Sequence, residues 1–126
     1  MGKQRGVKMK AREIINKALR RLGYTTQNGN EQLTRRIMNR ATDIVNDVYA
    51  DLWRKEHDTS FKPLETPDDS IDLSDTALSV MVYGVAAFIA QSENDGDQQQ
   101  WWMTVYNDKM KVFSKTATRQ DILPRV

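Results

Sequence analysis

From Ala77 to Ala90 the chain is apolar at every position except Ser79 and Gly84. A surface helix shows one apolar stripe with polar residues opposite; a helix apolar on nearly all sides must be covered on nearly all sides. The segment is therefore expected to be the central post of a helical domain. Its 14 residues fall below the roughly 18–20 that span a bilayer, so a buried core helix is predicted and no membrane contact. Gly84, Ala86 and Ala87 leave room on this helix for a neighbour's backbone or a large ring to approach closely.

The rest of the chain supplies the cover. Val7, Ala11, Ile14, Ile15, Ala18, Leu19 and Leu22 recur at helical spacing, with Gly23 placed as a C-terminal cap. Asn28-Gly29 marks a turn, and Asn30 suits an N-cap. A second helix is predicted over 31–56 from Leu33, Ile37, Ala41, Ile44, Val48 and Leu52, widened by Val45, Tyr49 and Trp53. Pro63 and Pro67 exclude a regular helix from 59–73. This stretch is expected as an irregular extended arm or small hairpin, turning at 66–69, with Phe61, Leu64, Ile71 and Leu73 as apolar pins. Asp72 or Ser74 then caps the central helix, which ends near Glu93. Gly96 is expected to stop it and Asp97 to cap a fourth helix over 98–115, with Trp102, Val105, Tyr106, Met110 and Phe113 inward. Adjacent tryptophans on a helix cannot both point straight in, so one of Trp101 and Trp102 is expected to be exposed or to meet a partner. The fold class is all-α: one domain of four helices with an arm between the second and third. Residues 1–6 and 117–126 are expected as flexible tails, with Ile122, Leu123 and Val126 apolar and available for docking.

Chemistry is sparse. There is no cysteine and one histidine, His57, so a typical zinc site cannot form; His57 reads as a helix-end residue. The loop at 94–97 fails the calcium-loop pattern. No phosphate loop or nucleophile motif is present. No catalytic residue, cofactor or metal is predicted. The start of the chain lacks the apolar run of a secretory signal.

Charge is the other strong signal. Residues 1–21 hold eight Lys/Arg against one acid, residues 22–107 six against fourteen, and residues 108–126 five against two. Lys10, Lys17, Arg20 and Arg21 belong to the basic end. Asp43, Asp47 and Asp51 form an acidic row at i, i+4, i+8 on the second helix. Such segregation governs how copies or partners meet, not how the chain folds. Either the basic end meets nucleic acid, through Lys8, Lys10, Arg12, Lys17, Arg20 and Arg21, or it meets an acidic protein surface such as a neighbouring copy.

Several runs, taken in order, resemble the head-to-tail adaptor (connector) proteins of tailed bacteriophages. They are Ile44-Val-Asn-Asp-Val-Tyr-Ala-Asp-Leu-Trp53, Pro63-Leu64, Ile71-Asp-Leu-Ser-Asp-Thr-Ala-Leu78, Tyr83-Gly-Val-Ala86, Ser92-Glu-Asn-Asp-Gly-Asp97, and Tyr106-Asn107 with Lys109. The resemblance covers roughly residues 8–115. It implies a non-enzymatic subunit of a ring, usually twelvefold, beneath the portal. Such a ring would extend the DNA channel, without sequence-specific binding, and join capsid to tail. The implied partners are the portal protein, tail or stopper proteins and further copies of the chain. The implied location is the capsid–tail junction of the virion, and the host cytoplasm during assembly. On this reading Phe61, Leu64, Trp101, Ile122, Leu123 and Val126 are candidate partner contacts, and Lys10, Lys17, Arg20, Arg21, Asp43, Asp47 and Asp51 candidate contacts between subunits.

Overall fold

The computed structural model describes residues 9–24 and 31–122, with the backbone alone at 31–34 and 116–122. Among these residues four helices follow one another: α1 (Ala11–Leu22), α2 (Glu31–Glu56), α3 (Asp75–Ser92) and α4 (Gly96–Ile122). Apart from one antiparallel bridge between Lys10 and Ser70, no β-structure is present among them. The all-α reading holds, with the arm between α2 and α3.

The predicted post is α3. The other three helices pack around it, and Ala77, Val80, Met81, Val82, Val85, Ala86, Ala87, Ile89 and Ala90 are buried. By length and composition α3 is also able to cross a membrane, but most of it is enclosed by the other elements. Ser74 caps it, its Oγ accepting from the Ala77 N–H at 3.1 Å. α4 returns antiparallel along α3. There Gly84 does specific work: a Cβ on it would stand 2.7 Å from Tyr106 Cε1 and 2.9 Å from Cδ1 and Cζ. The glycine lets the Tyr106 ring lie directly on the helix backbone.

α1 buries Ala11, Ile14, Ile15, Ala18, Leu19 and Leu22, the predicted stripe. Its end is a left-handed Gly23 (φ 78°), with Tyr24 N–H donating to Leu19 O and Gly23 N–H to Arg20 O. Val7 and the 28–30 turn lie outside the described residues. α2 has the predicted bounds and buries Ile37, Ala41, Val45, Val48, Tyr49 and Leu52.

Two boundaries differ from expectation. α3 is stopped by Asn94, not Gly96: Asn94 takes the left-handed conformation (φ 58°), which its short polar side chain tolerates. Gly96 instead opens α4, and the Asp95 carbonyl accepts from Gln99 N–H at 2.9 Å, so Asp95 takes the capping place expected of Asp97. α4 also continues to Ile122, so 117–122 is helix rather than tail. No Gly or Pro interrupts Thr116–Ile122, and the first breaker is Pro124, whose preceding residue is biased away from helix. Leu123 and Val126 lie outside the described residues.

The arm is an integral layer. It turns at 66–69 as predicted, where Asp69 Oδ2 accepts from the N–H groups of Glu65 (2.8 Å) and Thr66 (3.0 Å). Those bonds hold the Asp69 carboxyl below the usual carboxylate range. The turn then caps α1. A helix leaves its first N–H groups without internal partners; here Ala11 N–H donates to Asp69 O (3.0 Å) and Arg12 N–H to Pro67 O (2.7 Å). Ile71 N–H donates to Met9 O at 2.9 Å. Arg12 clasps Asp68 with two bonds, 2.9 and 3.2 Å, which raise the guanidinium pKa and lower that of the carboxyl.

A stripe of polar atoms on α2 holds the other side of the arm. The Asn46 amide pairs with both backbone groups of Leu64, accepting at 2.8 Å and donating at 3.0 Å. Tyr49 Oη accepts from Asp72 N–H, Trp53 Nε1 donates to Thr59 O, and Glu56 accepts from both Ser74 N–H and Ser74 Oγ. Residues 46, 49, 53 and 56 share one helix face. Phe61 packs edge-on to Tyr49 with ring centroids 5.1 Å apart, and His57, just past the helix end, stacks on Trp53 at 3.6 Å.

The Gly84–Tyr106 contact yields a paired prediction. Gly84→Ala should destabilise by about 1–2 kcal/mol net, overpacking outweighing the roughly 1 kcal/mol gained in helix propensity. Tyr106→Phe should leave stability unchanged or raise it by about 1 kcal/mol, because its buried hydroxyl has no hydrogen-bond partner among the described residues. Urea denaturation followed by circular dichroism measures both.

Candidate functional site

With the core and arm satisfied internally, what remains outside is mostly charge. Two of the candidate partner contacts are used by the fold. Leu64 is 9% exposed and belongs to the core cluster. Phe61 is half-buried against Tyr49 and Trp53. They pin the arm to α2, as the apolar-pin reading expected, and this packing leaves Leu64 little surface to offer a partner. Ile122 ends α4.

Of the two adjacent tryptophans, Trp101 is the exposed one. It is 63% exposed, while Trp102 is half-buried and stacks on Tyr83 with centroids 5.9 Å apart. Trp102 Nε1 also donates to Gln98 Oε1 at 2.9 Å, fixing the indole across one helical turn.

The basic candidates divide. Lys10 lies at the arm, its charge close enough to lower the Asp68 pKa, and Arg12 is paired with Asp68. This commits Arg12 of the nucleic-acid set to a contact within the fold. Lys17, Arg20 and Arg21 form a separate group on the exposed side of α1, and none has an ion-pair partner among the described residues. They make one wall of a groove of about 530 Å³ between α1 and α3. Its other wall is Leu78, Val82 and Tyr83 of α3, with Met9, Asp75 and Ser79 completing the lining. The Arg21 guanidinium stands 5.1 Å from the Tyr83 ring centroid and Lys109 Nζ of α4 stands 5.3 Å from it. Tyr83 thus joins three helices through cation–π and stacking contacts. A second groove, about 590 Å³, runs on the α4 side, lined by Val80, Lys109 and Phe113 among others. Asp75 and Ser79 lie on the ridge shared by the two.

The acidic row lies on α2. Asp43, Asp47 and Asp51 are all exposed, and only Asp51 has an ion-pair partner among the described residues, Arg54 at 3.1 Å. Among those residues no three His, Cys, Asp or Glu side chains gather as a metal ion would require. The arginines of the first half of α2 are differently used. Arg36 and Arg40 converge on Glu93, with contacts of 2.8–2.9 Å to a carboxylate only 11% exposed. They tie α2 to the α3–α4 turn. Tyr24 Oη donates to Asp95 in the same turn, and Gln98 Nε2 donates to Leu22 O at 2.7 Å. Burial, then the Asp95 bond, push the Tyr24 hydroxyl pKa up. This four-element junction is visible only in three dimensions, since its partners lie 53–76 positions apart in sequence.

Comparison with known proteins finds no family model, no curated protein and no solved structure that matches the chain. The functional reading therefore rests on the residues and their placement.

The two tryptophans should separate cleanly in a stability assay. Trp101→Ala should change unfolding free energy by no more than about 0.5 kcal/mol. Trp102→Ala should cost about 2 kcal/mol through the lost ring contact and half-buried area. Urea titration of the two variants is the check.

Proposed function

We propose that this chain is a structural subunit of a ring: a head-to-tail adaptor beneath the portal of a tailed phage, extending the DNA channel and joining capsid to tail. Its place is the capsid–tail junction of the virion, reached after assembly in the host cytoplasm. It performs no catalysis and needs no cofactor.

The observation that carries the reading is the pair of opposite charged faces. Lys17, Arg20 and Arg21 on α1 have no ion-pair partner among the described residues, nor do Asp43 and Asp47 on α2. Two complementary faces at different places on one protomer make a head-to-tail contact, and such a contact closes into a ring when its rotation divides a full turn. The spaced resemblance to adaptor proteins, from Ile44 through Lys109, supports the same conclusion. So does the tightly held body: a channel segment must keep its shape, and even the arm is hydrogen-bonded along both edges. Carboxylates facing a channel would repel DNA phosphate and let the genome pass without sticking. Trp101 and the residues near Ile122 supply contacts for portal and tail or stopper proteins.

Native mass spectrometry of the purified protein, alone and with the cognate portal, tests the proposal. The expected result is a closed ring, twelvefold as in similar proteins, or a complex with one copy per portal subunit. A monomer that ignores the portal and binds DNA in a salt-dependent way would instead support a nucleic-acid-binding protein.

A further inference from the structure

We infer that the α1–α3 groove is the receptor for the acidic face of α2 from the adjacent copy, so that Asp43, Asp47 and Asp51 of one subunit meet Lys17, Arg20 and Arg21 of the next. This inference rests on the ring reading and gives it a specific contact.

The lining selects the class of ligand. Three cations line one wall, so the occupant is anionic. Leu78, Val82 and Met9 give the groove an apolar component, which suits the flank of a helix better than a hydrated phosphate chain. Tyr83 is the one aromatic ring in the lining. It is already engaged by Arg21, Lys109 and the Trp102 stack, so it is a poor platform for a nucleic-acid base. Asp75 adds a carboxylate at the same groove, which repels any anionic occupant from that end and directs its charges to the Lys17, Arg20 and Arg21 wall.

The acidic row on α2 is longer than the basic row on α1, and side-chain reach makes up the difference. Asp43 to Asp51 covers about 12 Å along the helix, with one carboxylate per turn. Lys17 to Arg21 covers about 6 Å of α1 axis, to which long flexible side chains add reach at both ends. Charge complementarity of this kind fixes register and speeds encounter, and it weakens as salt is added. The arrangement is heterologous, groove against helix face, as a ring requires.

The chain lacks cysteine, so directed disulfide trapping is clean. Two variants, Arg20→Cys and Asp47→Cys, are made separately, checked for helix content, mixed in equal amounts at low ionic strength and oxidised. The inference predicts a covalent heterodimer at least about fivefold stronger than any homodimer of either variant, reduced by added salt. The doubly substituted chain should give a ladder of covalent oligomers. If the wild-type protein forms its ring or portal complex but the mixture gives no heterodimer, the contact lies elsewhere and only this inference falls. If the wild-type protein neither assembles nor joins the portal and no heterodimer is trapped, the ring reading falls with it. Salt-sensitive binding of a single-stranded oligonucleotide, lost in Lys17→Glu/Arg20→Glu/Arg21→Glu, would assign the groove to a phosphate backbone and overturn the proposal.

Discussion

Everything in this fold follows from a helix that has almost no face to give to water. α3 is apolar around its circumference, so it can exist only inside a jacket. One partner helix would leave most of it wet. α1, α2 and α4 each take a side; what stays exposed is the ridge of Asp75, Thr76 and Ser79 near its start and Gln91 and Ser92 at its end. The tightest approach is at Gly84, where the absence of a side chain admits the Tyr106 ring. That contact sets the spacing of the α3–α4 pair, along which the second groove is built.

The arm solves a second problem. α1 starts abruptly at Ala11, and its first N–H groups need acceptors. The arm delivers the Asp69 and Pro67 carbonyls to them, and α2 holds the arm in place through Asn46, Tyr49, Trp53 and Glu56. Ile71 and Leu64 are buried beneath it; burial of an aliphatic side chain of this size is worth about 1.5–3 kcal/mol. The consequence for function is indirect but strong. Apolar groups and most backbone groups are committed within the protomer. Recognition is left largely to charge, to Trp101 and to the two shallow grooves.

Much of this was legible in the sequence, because apolar periodicity encodes burial directly. The α1 stripe, the bounds of α2, the capping role of Gly23, a cap for α3 at Asp72 or Ser74, the turn at 66–69 and a split between Trp101 and Trp102 could all be read locally. The misreadings share one cause. Phe61 and Leu64 are legible as pins of the arm but also look available to a partner, because nothing local reveals that Asn46 and Tyr49 hold them one helix earlier. Gly96 looks like the stronger breaker, yet Asn94 takes the left-handed position. The tail looks aperiodic after Lys115, but a helix needs no buried stripe to continue where no breaker intervenes. The groove's cations were legible, but its shape was not: Lys17, Arg21 and Tyr83 are brought together only by the packing of α1 on α3. Its one sequence clue was three cations with no acid at i±3 or i±4 to partner Arg20 and Arg21.

The central claim is that post, jacket and arm form one cooperative unit that leaves its charged exterior, Trp101 and the two grooves for assembly. Native-state amide hydrogen exchange tests this most directly. The account predicts that the amides of Ala11, Arg12, Leu64 and Ile71 exchange with the same opening free energy as those of Met81 to Ala90 in α3. Arm amides that exchange orders of magnitude faster, while α3 stays protected, would show that the arm opens independently of the post and would contradict the account.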